Sequence, residues 1–235
     1  MKVDGKVALI TGASSGIGLA LARLLAARGA RTALAARSAR KLQELAAELP
    51  GSVALPTDMR DDAAVRRMVE GAYRHFGRID ILVNNAGRAM HGPLTGVDPV
   101  EYRDLLNLNV VGPLQAMQLV APVMKERGGG VIVNVSSGTT LRTLPGVGAY
   151  SSSKHALNNL GLVARLELAT DNIRVCLVYP FVTATNFDRG SGARGPVRTG
   201  LAPDTAEYAA SLVLEAIETE QAETFAAKTA GLRKP

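Results

Sequence analysis

The sequence predicts an α/β fold: a doubly wound parallel sheet of about seven strands with helices on both faces. Short β-branched or apolar runs alternate with longer segments whose apolar residues recur every three or four positions. This alternation is typical of βαβ units, and right-handed crossovers then wind the sheet in both directions. The runs are continuously apolar, as expected for strands that helices cover on both sides.

Seven strands and six helices account for most of the chain. The predicted strands are Val7–Ile10, Thr32–Ala35, Val53–Leu55, Ile79–Val83, Val131–Val135, Ile173–Val178 and Glu223–Ala226. The predicted helices are Gly18–Arg28, Ala39–Leu49, Ala63–Phe76, Pro99–Arg127, Ala149–Thr170 and Thr205–Thr219. No repeat or linker separates them, so residues 1–235 are expected to form one domain. The Gly- and Arg-rich stretch at about 186–200 is predicted to be a mobile substrate loop, and about 228–235 a short basic tail.

Composition argues against several classes of function. The formal net charge is +6, but Lys and Arg are scattered without a long run, so no nucleic-acid partner is predicted. The N-terminus lacks the apolar core of a signal peptide, and no stretch approaches the ~18 apolar residues of a membrane span. We therefore expect a cytoplasmic protein with no membrane partner. Cys176 is the single cysteine, and the three histidines show no ligand spacing, so no metal site is predicted.

A glycine-rich turn follows the first predicted strand and opens a helix. The segment Thr11–Gly18 reads T-G-A-S-S-G-I-G. Gly12 allows a tight turn, Gly16 lets the backbone approach a pyrophosphate, and Gly18 lets the helix pack against the strand. The amides and dipole of the helix N-terminus then face the phosphates. We assign dinucleotide binding to Gly12, Ser14, Ser15, Gly16, Ile17 and Gly18, although the turn could be merely structural.

The end of the second strand indicates which dinucleotide is bound. An acidic residue there would hold the ribose hydroxyls of NAD, but Ala36 is neutral and Arg37 adds a cation. The sequence therefore predicts a preference for NADP(H), unless Arg37 is only a surface residue at a helix start. Asp58, with Met59 beside it after the third strand, is predicted to contact the adenine. Asp58 could also serve as a helix N-cap.

A Tyr–Lys pair with a nearby Ser has the chemistry that carbonyl reduction requires. Tyr150 and Lys154 lie four residues apart on one helix face, and Ser136-Ser137 ends the strand Val131–Val135. Bringing a phenol from a pKa of about 10 to near 7 requires roughly 4 kcal/mol. One cation about 4 Å away supplies about that much at an effective dielectric of 20. A Ser hydroxyl can hold the substrate oxygen as charge develops on it.

Taken together, these motifs resemble those of the short-chain dehydrogenase/reductase family, in its compact single-domain branch with a Rossmann fold. The matching residues are Thr11–Gly18, N-N-A-G at Asn84–Gly87, Asn109 in N-V-V-G, Ser137 thirteen residues before Tyr150, and Y-S-S-S-K at Tyr150–Lys154. The resemblance covers roughly residues 5–220. The motifs are specific jointly, although each alone is weak.

The resemblance implies a role for each matching residue. Tyr150 would be the general acid/base, Lys154 would lower its pKa and hold the nicotinamide ribose, and Ser137 would orient the substrate oxygen. Asn109 would anchor a proton-relay water. The remaining cofactor contacts would come from Asn85, Ala86, Gly87, Pro180, Thr183 and Thr185. Ser136 competes with Ser137, but the spacing to Tyr150 favours Ser137. Phe181 stands where the family usually has Gly, which changes the expected backbone near the nicotinamide.

The predicted function is that of an NADP(H)-preferring oxidoreductase acting on a small carbonyl or alcohol. The alternative is a sensor or scaffold that binds a dinucleotide without turnover, since a fold does not determine a function. Isomerases and dehydratases of the superfamily generally carry a larger C-terminal domain, for which 235 residues leave no room. The apolar faces of Glu101–Met124 and Ala156–Leu168 fit the helix pairing of a family dimer, so we expect a homodimer or homotetramer.

Overall fold

The computed structural model of the chain describes residues 1–184, 187 and 201–231. Seven parallel strands form one sheet in the order β3-β2-β1-β4-β5-β6-β7, which confirms the predicted fold class. The strands are β1 Val7–Thr11, β2 Arg31–Ala36, β3 Val53–Pro56, β4 Ile81–Asn84, β5 Gly130–Val135, β6 Ile173–Tyr179 and β7 Glu223–Phe225.

Helices cover both faces of this sheet. They are α1 Gly16–Ala27, α2 Ala39–Glu48, α3 Asp62–Phe76, α4 Pro99–Leu106, α5 Gly112–Glu126, α6 Gly148–Glu167, α7 Ala206–Thr219 and the short α8 Ala227–Ala230. Buried residues of α1, α2 and α7 form a core on one face, and those of α3 and α5, with part of α6, form a core on the other. Among the described residues, no helix is both long and apolar enough to cross a membrane.

The predicted helix Pro99–Arg127 is helical from Pro99 to Glu126, but its hydrogen-bond pattern changes midway. A π-helical turn, Asn107–Val111, separates α4 from α5. Pro113 lies at the start of α5, and a Cβ on Gly112 would collide with the Met59 carbonyl oxygen. The π-helical turn is therefore associated with close packing against the loop after β3, a long-range contact that apolar periodicity does not reveal.

The strand order reverses between β1 and β4. Chain connections leave the carboxyl ends of these two neighbours toward opposite faces, which opens a crevice at that edge of the sheet. The predicted loop at 186–200 lies outside the described residues except for Phe187, as do Thr185 and the last four residues of the predicted tail.

Candidate active site

A cleft of about 700 Å³ lies at the carboxyl edge of the sheet and collects most of the predicted site residues. Those that line it are Gly12, Ser14, Ser15, Gly16, Ile17, Arg37, Asp58, Met59, Asn85, Ala86, Gly87, Ser137, Tyr150, Lys154, Pro180 and Thr183. Gly18 and Asn109 do not line the cleft, and Thr185 is outside the described residues.

The glycine turn has the backbone that the sequence predicts. Gly12 and Gly16 have backbone φ angles of +70° and +53°, which residues other than glycine rarely adopt. Gly18 lies behind the turn, where a Cβ would meet the Gly12 carbonyl oxygen, so it permits close helix–strand packing. Ser15 makes no side-chain cap bond to α1, whose first turn has no acidic residue. The first amides of α1 are thus available to an anion, and this donor set fits a pyrophosphate.

Thr11 joins the glycine turn to the N-N-A-G segment after β4. Its hydroxyl donates to the Val83 carbonyl at 3.1 Å and accepts from the amides of Asn85 and Ala86, both at 3.0 Å. The Asn85 side chain returns a bond to the Thr11 carbonyl at 2.8 Å. Sequence reasoning gave no role to Thr11 beyond its place in the motif. The sequence signal that could have indicated this role is a hydroxyl residue at the end of a central apolar strand, where a buried hydroxyl needs hydrogen-bond partners.

Asn109 supports the cleft from behind. Its side chain is fully buried in the π-helical turn. Nδ2 donates to the Arg88 carbonyl at 3.1 Å and to Ser153 Oγ at 3.0 Å, and Oδ1 accepts the Arg88 amide at 3.1 Å. A Cβ on Gly87 would lie 3.1 Å from Asn109 Oδ1 and 3.6 Å from Lys154 Nζ. Glycine at position 87 therefore brings the backbone next to both side chains.

Lys154 is a buried cation on α6. Its side chain is 3% exposed, and Nζ donates to the Val135 carbonyl at 2.8 Å. Burial lowers the pKa of this ammonium to about 8. Within the described part of the chain no acidic side chain pairs with it, so two of its three hydrogens remain for a ligand in the cleft.

Tyr150 lies one helical turn before Lys154 and is almost completely buried. Its ring contacts that of Phe187 edge to face, with centroids 5.8 Å apart. Because both α6 residues line the cleft, the structure brings the phenol and the ammonium to the same wall.

The two candidate serines differ in their bonding. Ser137 follows β5 at the start of a short 3₁₀ turn and accepts bonds from the amide and hydroxyl of Thr139. Ser136 is 4% exposed, and its hydroxyl has no hydrogen-bond partner among the described residues. Both line the cleft, so position alone does not separate them.

Arg37 and Asp58 lie at the far end of the cleft. Arg37 is exposed and forms no ion pair within the described residues. Asp58 pairs with Arg60 at 2.6 Å, and this guanidinium holds the pKa of the Asp58 carboxyl below its usual value. The alternative of Asp58 as an N-cap is wrong, because Asp61 caps α3 by accepting from the amides of Ala63 and Ala64. Asp58 lies three positions before the true cap.

The segment after β6 carries Pro180, Phe181 and Thr183. Phe181 is buried, with Lys228 Nζ 5.5 Å from its ring centroid. Thr183 donates its hydroxyl to the Phe181 carbonyl at 2.9 Å and pairs with Asp204 in an isolated parallel bridge. The phenylalanine is therefore accommodated by the core and by a cation from α8, and Pro180 and Thr183 still line the cleft.

Sequence reasoning missed other residues that line the cleft: Ser38, Lys41, Thr57, Arg60, Leu108, Leu144 and Val182. Most follow a strand, and strand ends in a parallel sheet were the signal that could have found them. Within residues 1–184, 187 and 201–231, no group of three or more His, Cys, Asp or Glu is placed to bind a metal.

Comparisons with known proteins show the family to which the chain belongs. The family model described as short chain dehydrogenase matches residues 6–194. The 3α-hydroxysteroid dehydrogenase of Mediterraneibacter gnavus is 35% identical over 194 residues, which cover 80% of this chain and 77% of that protein.

Two similar solved structures hold nicotinamide cofactors. A short-chain dehydrogenase/reductase from Burkholderia phymatum in complex with NAD has a TM-score of 0.88 and 27% identity, and the match covers 99% of this chain and 93% of that chain. The 3-ketoacyl-(acyl-carrier-protein) reductase of Brucella melitensis complexed with NADH has a TM-score of 0.87 and 26% identity, with coverage of 97% and 99%. This chain belongs to the short-chain dehydrogenase/reductase family of nicotinamide-dependent oxidoreductases.

Proposed function

We propose that this protein is an NADP(H)-preferring carbonyl reductase or alcohol dehydrogenase in which residues 1–235 act as one dinucleotide-binding and catalytic domain. One observation carries the proposal: the buried ammonium of Lys154 and the phenol of Tyr150 share a wall of the cleft, one helical turn apart. A buried cation with spare donors is costly to the fold, and such groups concentrate at functional sites.

The chain's own residues would manage the proton and the substrate oxygen. The bound nicotinamide supplies the hydride that reduces the carbonyl carbon, or accepts it in the reverse direction. Tyr150 would donate its phenolic proton to the carbonyl oxygen, so that an alcohol forms. Lys154, charged below a pKa of about 8, would stabilise the phenolate that remains. Ser137 would donate a hydrogen bond to the same oxygen.

Asn109 would hold a water that returns a proton from solvent. Both Nδ2 hydrogens are already donated, to the Arg88 carbonyl and to Ser153 Oγ. An amide oxygen has two lone pairs, and Oδ1 accepts one bond, from the Arg88 amide. An oxygen lone pair of Asn109 is therefore the group that would bind this water.

The preference for NADP(H) would depend on charge at the mouth of the cleft. Arg37 is exposed there without an ion pair among the described residues, and Lys41 lines the same end. Ala36 supplies no carboxylate that would repel a 2′-phosphate. The two similar structures hold NAD or NADH, so the proposed preference for NADP(H) depends on this chain's own residues and not on those relatives.

Arg37→Asp tests the preference. A charge-assisted bond contributes about 1.5–3 kcal/mol, so NADPH should bind roughly 10- to 150-fold more weakly while NADH binding stays similar. Arg40→Asp is the matched control, because Arg40 carries the same charge nearby but does not line the cleft. Unchanged NADPH affinity in Arg37→Asp, measured by nucleotide fluorescence, would refute the preference.

Turnover of a carbonyl panel tests the catalytic proposal. NADPH oxidation is followed with ketones, aldehydes and quinones for the wild type, Tyr150→Phe and the control Tyr73→Phe, a tyrosine of α3 outside the cleft. We expect Tyr150→Phe alone to lose turnover while it still binds NADPH. If the wild type binds NADPH but reduces nothing in the panel, the non-catalytic sensor becomes the better interpretation.

A homo-oligomer is also part of the proposal, in the form of a homodimer or homotetramer. Large apolar side chains remain exposed on the π-helical turn and on α6, namely Val111, Leu162, Val163 and Leu166, the last 79% exposed. They belong to the two segments, Glu101–Met124 and Ala156–Leu168, whose apolar faces fit the helix pairing of a family dimer. Leu166→Glu should shift the mass measured by light scattering toward the monomer, and an unchanged mass would move the interface elsewhere.

A further inference from the structure

The Ser137 hydroxyl, which is expected to contact substrate, is held by two hydrogen bonds from one neighbouring residue. Its Oγ accepts the Thr139 amide at 3.2 Å and the Thr139 hydroxyl at 3.0 Å. A serine hydroxyl has one hydrogen and two acceptor lone pairs. Because Thr139 occupies both lone pairs, the hydroxyl can only donate in its remaining direction. Both residues line the cleft.

We propose that Thr139 is a positioning residue that commits the Ser137 hydroxyl to donate toward the substrate oxygen. The inference rests on the proposed function, because it needs a carbonyl oxygen that gains negative charge as it is reduced. A donor already turned toward that oxygen stabilises the charge without reorienting during the reaction. Two bonds accepted by Oγ also polarise its own O–H and make it a stronger donor.

Thr139 is itself held in place. Ser151 Oγ donates to the Thr139 carbonyl at 3.0 Å, and the Gly138 amide donates to the Pro180 carbonyl at 3.1 Å. A Cβ on Gly138 would lie 2.6 Å from the Thr229 methyl, so the turn is tightly packed. These contacts join the turn to α6, to the segment after β6 and to α8. The backbone of Thr139 is therefore fixed beside Ser137, and its hydroxyl lies within hydrogen-bond distance of Ser137 Oγ.

The neighbouring Thr140 offers a matched control. Its hydroxyl donates to the backbone carbonyl of Ser137 at 2.8 Å, not to the Ser137 hydroxyl. Thr140 also does not line the cleft. Thr→Val at positions 139 and 140 removes one hydroxyl donor of the same kind from the same turn, with nearly unchanged side-chain volume. A general effect of weakening the turn should appear in both variants.

Single-turnover reduction by NADPH is the decisive measurement. Thr139→Val should lower the rate of the chemical step by about 3- to 10-fold, the effect of one neutral hydrogen bond. Thr139→Ser should keep most of the rate, and Thr140→Val should stay within about 2-fold of the wild type. Melting temperature and NADPH affinity should be unchanged in Thr139→Val, which a merely structural role would not predict.

A double-mutant cycle with Ser137→Ala gives the second readout. Ser137→Ala alone should cost on the order of 100-fold, as for other donors to a developing oxyanion. Since Thr139 acts through Ser137, adding Thr139→Val should cause no further loss. An equal loss in both backgrounds, or a wild-type rate in Thr139→Val, would overturn the inference. A wild type that binds NADPH but reduces no carbonyl would instead refute the proposed function.

Discussion

Replacing Lys154 with methionine should make the cofactor-free protein more stable at neutral pH while it abolishes the proposed chemistry. The side chain is 3% exposed, and burial lowers its pKa from a usual 10.5 to about 8. That difference corresponds to roughly 3 kcal/mol spent on keeping the ammonium charged in the fold. Methionine removes this cost but also the bond to the Val135 carbonyl, which contributes about 1 kcal/mol.

The sign of the pH dependence follows from the two pKa values of Lys154. Between pH 8 and 10.5 the unfolded chain holds a proton at Lys154 that the folded chain has released. The free energy of unfolding of the wild type therefore rises with pH through this window, and the cost is fully present below pH 8. We expect Lys154→Met to be about 2 kcal/mol more stable than the wild type at pH 7 and about 1 kcal/mol less stable at pH 10.5.

Urea unfolding of the cofactor-free protein at several pH values measures this difference. Groups distant from Lys154 titrate equally in both proteins and cancel in the comparison, and making both measurements in a Tyr150→Phe background removes the titration of the neighbouring phenol. Lys2→Met serves as the control, since Lys2 is exposed and should show no pH-dependent difference from the wild type. A Lys154→Met difference that does not change between pH 7 and 10.5 would mean that burial of the ammonium does not govern the stability of this site.

Two further predictions concern the supports of the cleft. Gly18→Ala should lower the free energy of unfolding by about 1–3 kcal/mol, because the new Cβ overlaps the Gly12 carbonyl oxygen; an unchanged urea midpoint would contradict this packing. Lys228→Met should lower the free energy of unfolding by about 1–3 kcal/mol, because it leaves the buried Asp204 carboxylate without its partner, the ammonium 2.6 Å away beside Phe181. It should also weaken NADPH binding, because Asp204 pairs with Thr183, which lines the cleft. Lys228→Arg should recover part of both losses, and equal losses in the two variants would argue against the ion pair.

The strands were predictable because each is a continuously apolar run between polar turns. For example, β5 is observed at Gly130–Val135 and was predicted at Val131–Val135. Their parallel arrangement then places every strand end at one edge, which is why local motifs distant in sequence line one cleft. The prediction succeeded wherever a short-range pattern determines the local structure.

The structural features that the sequence did not predict depend on contacts between distant segments. The π-helical turn Asn107–Val111 forms where Asn109 bonds the Arg88 backbone and Gly112 packs against Met59, and neither contact affects apolar spacing. The sequence also allowed Asp58 as the N-cap of α3, but Asp61 is the N-cap in the structure. Several acidic residues precede that helix, and only the geometry selects one.

An ion network then connects the two ends of the cleft through α4. Arg60 bonds Asp58 at 2.6 Å and Asp104 at 3.1 Å, and Asp104 bonds Arg88 at 3.2 Å. The backbone of Arg88 is in turn held by the amide of Asn109. Because these side chains are partly exposed, each pair adds little to stability. The network instead fixes relative positions, because it links Asp58, the carboxylate expected to face adenine, to Asp104 on α4, the helix that leads into the π-helical turn. A change at Asp104 should therefore alter ligand geometry more than the free energy of unfolding.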